Sequence, residues 1–284
     1  MLCSGSATSR WLGLPAEPIE ALGIRLITVD RPGLGTSETA VGWSLADWAD
    51  DVREFAEARG HSVLIVIGYS IGAPFALACA AVPSVTAASV VSGTDELAHP
   101  TLAAALEPEV ALLVERVAAD ASGTLSLIAN SADADVLWDA VAGTGHGADR
   151  LAFADSAFDR NYRRALADGF SQGPGGYARE TVLAMSRWPF DPAATSVPVD
   201  IWYGEQDTNP FHSPDLGASL AHRIPTARRF VVPAVGGAFL WNHPDAVLRS
   251  VLRHAGAPSP EPERVAVSAA PLADTVTGVL NTEP

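Results

Sequence analysis

A doubly wound, mostly parallel α/β sheet with an inserted helical cap is the architecture this sequence predicts, on three observations. Short β-branched runs alternate with helical segments on either side of the middle of the chain. One of those runs, Val63-Leu-Ile-Val-Ile67, is apolar throughout, which marks a strand covered on both faces. From about Asp95 to Thr195 the alternation gives way to sequence rich in Ala, Leu and Asp with helical periodicity and no convincing strand.

Taken in order, Ile24-Arg-Leu-Ile-Thr-Val29 reads as a strand closed by the turn Asp30-Arg-Pro-Gly33. Ser44 to Arg59 reads as a helix: Ser44 and Asp47 have the spacing of a capping pair, Leu45, Trp48, Val52 and Phe55 recur on one face, and Gly60 ends it. After the strand at Val63–Ile67, a short apolar helix from about Gly72 to Ala81 stops before Pro83. Further strands follow at Val85–Val91, Val197–Tyr203 and Arg229–Val232. The strand pattern resumes after the helical stretch, so both flanks belong to one sheet. This divides the chain into a core of residues 1–94 and 196–256, a helical cap of 95–195, and a Pro-, Ser- and Glu-rich tail of 257–284 expected to be flexible.

Composition narrows the function classes. With 48% hydrophobic and 18% charged residues the 284-residue chain can bury one sizeable core. A formal net charge of -15 repels phosphate backbones and anionic lipid headgroups, so neither nucleic acid nor membrane is an expected partner. The expected partner is a small-molecule or peptide substrate. Two cysteines, Cys3 and Cys79, form neither a disulfide framework nor a metal cluster, so no metal or other cofactor is expected and a reducing cytoplasm fits best. The N-terminal residues lack the basic start and apolar run of a signal peptide.

The chemistry concentrates in one motif. Gly68-Tyr69-Ser70-Ile71-Gly72 lies between a buried strand and a helix, where two glycines permit the tight turn that lifts a serine clear of a sheet. The helix start behind it aims backbone N–H groups at developing negative charge. Gly33 and Gly35 lack the remaining residues of a phosphate loop and read as turn formers.

Three segments together carry a family resemblance: Asp30-Arg-Pro-Gly-Leu-Gly-Thr-Ser37, Gly68-Tyr-Ser-Ile-Gly-Ala-Pro-Phe-Ala-Leu-Ala78 and Trp202-Tyr-Gly-Glu-Gln-Asp207. In this order they resemble motifs of α/β hydrolases of the proline-iminopeptidase and haloperoxidase-like group, over roughly residues 1 to 255. The resemblance implies the α/β-hydrolase fold, Ser70 as nucleophile, Asp207 as the acid at a strand end, and the Ile71 N–H as one oxyanion donor. It also implies a second donor from an N-terminal loop, which here reads Ser4-Gly5-Ser6-Ala7-Thr8 and keeps only the glycine of the family's His-Gly-x-Pro-Gly. Gly5 and Ser6 are the candidates. The strands that usually precede this loop are absent, so either the sheet is shortened at that edge or the true start lies upstream.

The main departure is the base. The resemblance places a histidine after the last strand, yet the sequence there is Val232-Pro-Ala-Val-Gly-Gly-Ala-Phe-Leu-Trp241, with Gly237 or Ala238 in the histidine slot. Neither can move a proton. His212, His99 and His146 are the candidates for a substitute base, and Asp95 ranks behind Asp207 as the acid. Tyr69, Phe239 and Trp241 are expected to line the substrate site. On these grounds the favoured expectation is a small-molecule or peptide-binding protein with an incomplete catalytic triad. Its ordinary hydrolysis would be impaired or lost, and its site turned to non-hydrolytic chemistry such as isomerisation or epimerisation. The alternatives are a serine hydrolase of an ester, lactone or amide using a non-standard base, and a pure ligand-binding protein.

Overall fold

The computed structural model describes residues 1–143, 147, 149–254 and 256. Its centre is a five-stranded, all-parallel sheet in the order β1 (Leu2–Cys3), β2 (Leu64–Tyr69), β3 (Val85–Val91), β4 (Val199–Gly204) and β5 (Ala227–Val232). Parallel neighbours need crossovers, and helices supply them on both faces. On one face, α2 (Leu45–Arg59), α3 (Gly72–Ala78) and α10 (Ala218–Arg223) pack against Val66, Val90, Ile201 and Tyr203. On the other, α1 (Ala16–Ala21), α11 (Phe239–Asn242) and α12 (Pro244–His254) cover Leu2, Ile67, Val91 and Trp202. Ile201 and Tyr203 thus point one way and Trp202 the other, the two-residue period of a strand buried on both sides.

Helix α2 has the ends its sequence predicts. Ser44 Oγ accepts the Asp47 N–H, the Asp47 carboxylate accepts the Ser44 N–H in return, and Gly60 closes the helix in the left-handed region at φ 67°. Such a reciprocal cap contributes about 1 kcal/mol.

The predicted strand over Ile24–Val29 is not formed as such. Only Thr28 makes a parallel bridge to Leu2, with the Leu2 N–H donating to the Ile27 carbonyl. This segment borders the sheet on one side only, so half of its backbone groups have no ladder to join. A smaller difference is the end of the elbow helix, which tightens into a 3-10 turn over Cys79–Ala81.

Between β3 and β4 the described residues form α4 (Pro108–Ala119), α5 (Ala121–Ser131), α6 (Ala134–Gly143), α7 (Asp149–Ala154), α8 (Ser156–Gly169) and α9 (Gly175–Ala184), with no strand among them. Two apolar clusters tie these helices to the core. One joins Ile71 beside the elbow to Val110, Val117, Val182 and Met185; the other joins Ala7 and Leu12 after β1 to Trp138, Tyr162 and Leu166. Among the described residues no helix is long and apolar enough to cross a membrane. The expected tail of 257–284 lies outside the described residues.

Candidate active site

The elbow is built by close approach. Ser70 leaves β2 with φ 52°, a left-handed conformation that costs a non-glycine residue free energy and is held by the surrounding structure. A Cβ on Gly68 would lie 2.6 Å from Ala73 Cα, and one on Gly72 would lie 2.0 Å from the Cys3 carbonyl oxygen. Both positions therefore exclude a side chain. The second contact brings the end of β1, and the loop after it, directly against the serine. The Ser70 carbonyl then accepts the Thr94 N–H, which locks the elbow to the segment after β3.

Asp207 lies just beyond β4 with its side chain fully buried. Its carboxylate accepts the Asn209 N–H at 3.2 Å, and the Asn209 side chain accepts the Phe211 N–H at 3.0 Å. The His212 N–H returns to the Asn209 carbonyl at 3.0 Å. With Pro210 inside it, this turn folds His212 back onto its own acid. His212 Nδ1 lies 2.8 Å from Asp207 Oδ2, and His212 Nε2 lies 3.0 Å from Ser70 Oγ. A carboxylate only accepts, so Nδ1 carries the proton and Nε2 is left to accept from the serine hydroxyl. Burial alone would raise the Asp207 carboxyl, but the charge and hydrogen bond of His212 and the Asn209 N–H carry it below its ordinary range.

Of the three histidines offered as substitutes, the structure brings His212 to Ser70. His99 is bonded through Nδ1 to Thr101 Oγ1 at 2.7 Å and lines a different surface groove, with Asp215 and His222. His146 lies outside the described residues. Asp95 supports the site from behind: the Ser213 hydroxyl donates to it at 3.2 Å, and Arg223 pairs with it. Burial, partly offset by Arg223, pushes its carboxyl up to about 6.

The backbone of the slot after β5 is held by a residue that the sequence reading did not single out. Asp149, from α7, accepts the Gly237 and Ala238 N–H groups, each at 2.8 Å. No local signal in the sequence marks it, because the contact spans nearly ninety residues and Asp149 reads as an ordinary acidic residue in a first helical turn.

The N-terminal loop is more ordered than its departure from the family pattern implies. Buried Arg31 donates to the Ser4 and Gly5 carbonyls, each at 3.0 Å, and pairs with buried Glu180 of α9, which in turn accepts the Ala7 N–H. Ser6 borders the cavity beside Ser70 and Ile71. At the start of α3 the Ile71 N–H has no carbonyl of the preceding turn to bond.

That cavity encloses about 720 Å³ of space, its mouth included. Tyr69, Leu137, Tyr162, Tyr177, Met185 and Phe211 dominate its walls, and no Lys, Arg, Asp or Glu lines it among the described residues. Tyr69 borders this cavity, whereas Phe239 and Trp241, also expected to line the substrate site, do not. Phe239 is 1% exposed and packs on Trp202 in the core, while Trp241 stands behind the wall, edge-on to Tyr69 with ring centroids 4.4 Å apart. Phe239 is held by core packing, and Trp241 by its indole N–H donating to the Gly13 carbonyl at 3.1 Å. Among the described residues no cluster of His, Cys, Asp or Glu could hold a metal ion.

The model described as "Alpha/beta hydrolase family" matches residues 2–250. The chain belongs to the alpha/beta hydrolase family. Solved structures agree on the fold of this alpha/beta hydrolase. A hydrolase from Pseudomonas aeruginosa is 21% identical with a TM-score of 0.63, covering 90% of this chain and 89% of its own. A thermophilic esterase from Thermogutta terrifontis is 18% identical with a TM-score of 0.61, covering 90% of this chain and 88% of its own. An enol-lactonase from Burkholderia xenovorans is 19% identical with a TM-score of 0.60, covering 90% of each chain. No curated protein matches the sequence.

Proposed function

We propose that this alpha/beta hydrolase is a working serine hydrolase of neutral, apolar esters or lactones, with Ser70 as nucleophile, His212 as base and Asp207 as the acid that orients it. The observation that carries this reading is the placement of His212, 3.0 Å from Ser70 Oγ through one nitrogen and 2.8 Å from Asp207 through the other. The expectation of impaired hydrolysis, and of isomerisation or epimerisation in its place, rests on two departures, the missing histidine after β5 and the altered N-terminal loop. A base that reaches the serine from the loop after β4 answers the first and favours the alternative with a non-standard base, and the bonds that Arg31 makes to the Ser4 and Gly5 carbonyls support an ordered loop against the second.

In the reaction, Ser70 Oγ attacks the substrate carbonyl as His212 Nε2 takes its proton, and Asp207 stabilises the imidazolium that forms. The N–H groups of Ile71 and Ser6 receive the oxyanion, each contributing about a hundredfold or more to the rate. His212 then protonates the departing alkoxide, and a water activated by the same nitrogen releases the acyl group. Helices α4–α9 act as the cap that shapes the acyl site. The aromatic-walled cavity, uncharged among the described residues, supports a neutral apolar acyl chain, because a substrate carboxylate would lose its hydration there with no described cation to replace it. Two buried, unpaired cysteines suit a reducing cytoplasm.

The test is hydrolysis of p-nitrophenyl hexanoate by the wild-type chain and by Ser70→Ala, with intact-mass detection of fluorophosphonate addition to Ser70. Turnover and labelling are expected in the wild type and absent in the variant. A wild-type rate no higher than that of Ser70→Ala would overturn the reading.

A further inference from the structure

The backbone of the slot that lacks a histidine is held by a carboxylate from the helical insertion. Asp149 is buried, and its two carboxylate oxygens separately accept the N–H groups of Gly237 and Ala238 at 2.8 Å. A Cβ on Gly236 would lie 2.0 Å from Asp149 Oδ2, so the backbone leaves this space to the carboxylate. A Cβ on Gly237 would lie 2.9 Å from Asp207 Oδ1 and 3.4 Å from His212 Cε1. The segment that Asp149 holds therefore runs beside both the acid and the base, with room at Gly237 for no side chain. Asp149, Asp207, His212 and Tyr69 also border one small side chamber.

We infer that Asp149 is a positioning residue for the Ser70–His212–Asp207 relay, a carboxylate from the helical insertion that clamps the loop after β5 and places a second negative charge beside His212. The inference rests on the serine-hydrolase reading. Two physical effects follow from one contact. The clamp fixes residues 236–238, whose Gly237 lies so close to Asp207 and His212 that a single added carbon would meet both. The charge favours the imidazolium that forms as Ser70 gives up its proton. Among the described residues the titratable groups facing His212 are Asp207 on its own loop, Tyr69 from β2 and Asp149 from α7, with Asp95 behind it through Ser213. Burial raises the Asp149 carboxyl, whereas the Ala238 and Gly237 N–H groups pull it back. The Tyr69 phenol is pushed up by burial, with Tyr162 and the two carboxylates adding to the shift, and stays neutral.

The experiment compares wild type, Asp149→Asn and Asp149→Ala by kcat and KM for p-nitrophenyl hexanoate across pH 5–9, alongside thermal melting. Both variants are expected to lose kcat by about ten- to a hundredfold with KM within about twofold. The acid limb of the profile should move to lower pH, because a lost negative charge leaves the base neutral further into acid. A second readout follows the imidazole signals of His212 by NMR during a pH titration of the same proteins, and needs no turnover. Their midpoint should fall in both variants. A wild type without turnover would sink the serine-hydrolase reading alone, since the titration still decides the role of Asp149. The inference is overturned if both variants keep the wild-type pH profile and His212 midpoint, including the case in which they merely melt earlier and lose active protein uniformly.

Discussion

His212 and Asp207 lie five residues apart on one loop, with Nδ1 of the imidazole 2.8 Å from the carboxylate. Imidazole and carboxylate thus come from a single turn, and the Ser70 hydroxyl reaches them from the end of β2. Truncating the imidazole should remove the reaction. His212→Ala is expected to cost about a millionfold in kcat, with the double variant Ser70→Ala plus His212→Ala hardly worse than either change alone, because the two act as a unit. His99→Ala, measured in the same assay, should behave as wild type. A loss of only a few fold in His212→Ala would point to another base.

Returning a histidine to the usual place should harm rather than help. A Cβ at Gly237 already meets Asp207 Oδ1 at 2.9 Å, and Asp149 occupies the space beyond the backbone. Gly237→His is expected to lower the melting temperature and reduce ester hydrolysis by about tenfold or more, through displacement of the acid. Unchanged or higher activity would show that the loop has room to move.

The buried pair Arg31–Glu180 holds the loop that carries Ser6. Arg31 is 2% exposed and Glu180 is fully buried, so removing one charge strands the other. Arg31→Met should cost about 3–5 kcal/mol of stability in denaturant unfolding, and the double change Arg31→Met plus Glu180→Met should recover much of it. Hydrolysis should stay low in the double variant even where stability returns, because the Ser4 and Gly5 carbonyls have lost their donors. Full activity in that variant would separate the pair from the oxyanion loop.

The depressed carboxyl of Asp207 makes a signed prediction for pH. A carboxyl whose folded value lies below its ordinary 3.8 stabilises the fold above that value and loses the contribution as pH falls through the folded one. The stability gap between wild type and Asp207→Asn should therefore be widest near neutrality and close below about pH 4. A gap that is constant from pH 7 to pH 3 would mean that the Asp207 charge is not held by the fold.

Local pattern was enough to determine most of the scaffold. The cap of α2, the apolar run of β2, the glycines around Ser70 and the acid after β4 are legible because each depends on neighbours within a few residues, where periodicity and backbone sterics act directly. Ile24–Val29 has the right composition for a strand and fails to become one, since pairing depends on what lies beside it. What only the tertiary structure decided is which groups meet at the serine. His212 is chosen over His99 by the turn through Asn209 and Pro210 and by the anchoring of Ser213 to Gly93. Asp149 reaches the loop after β5 across 88 positions, and Phe239 is claimed by Trp202 in the core. Hydrogen bonds and packing act over a few ångströms in space with no regard for distance along the chain. Sequence spacing therefore singles out Ser70 and Asp207, and folding decides which histidine stands between them.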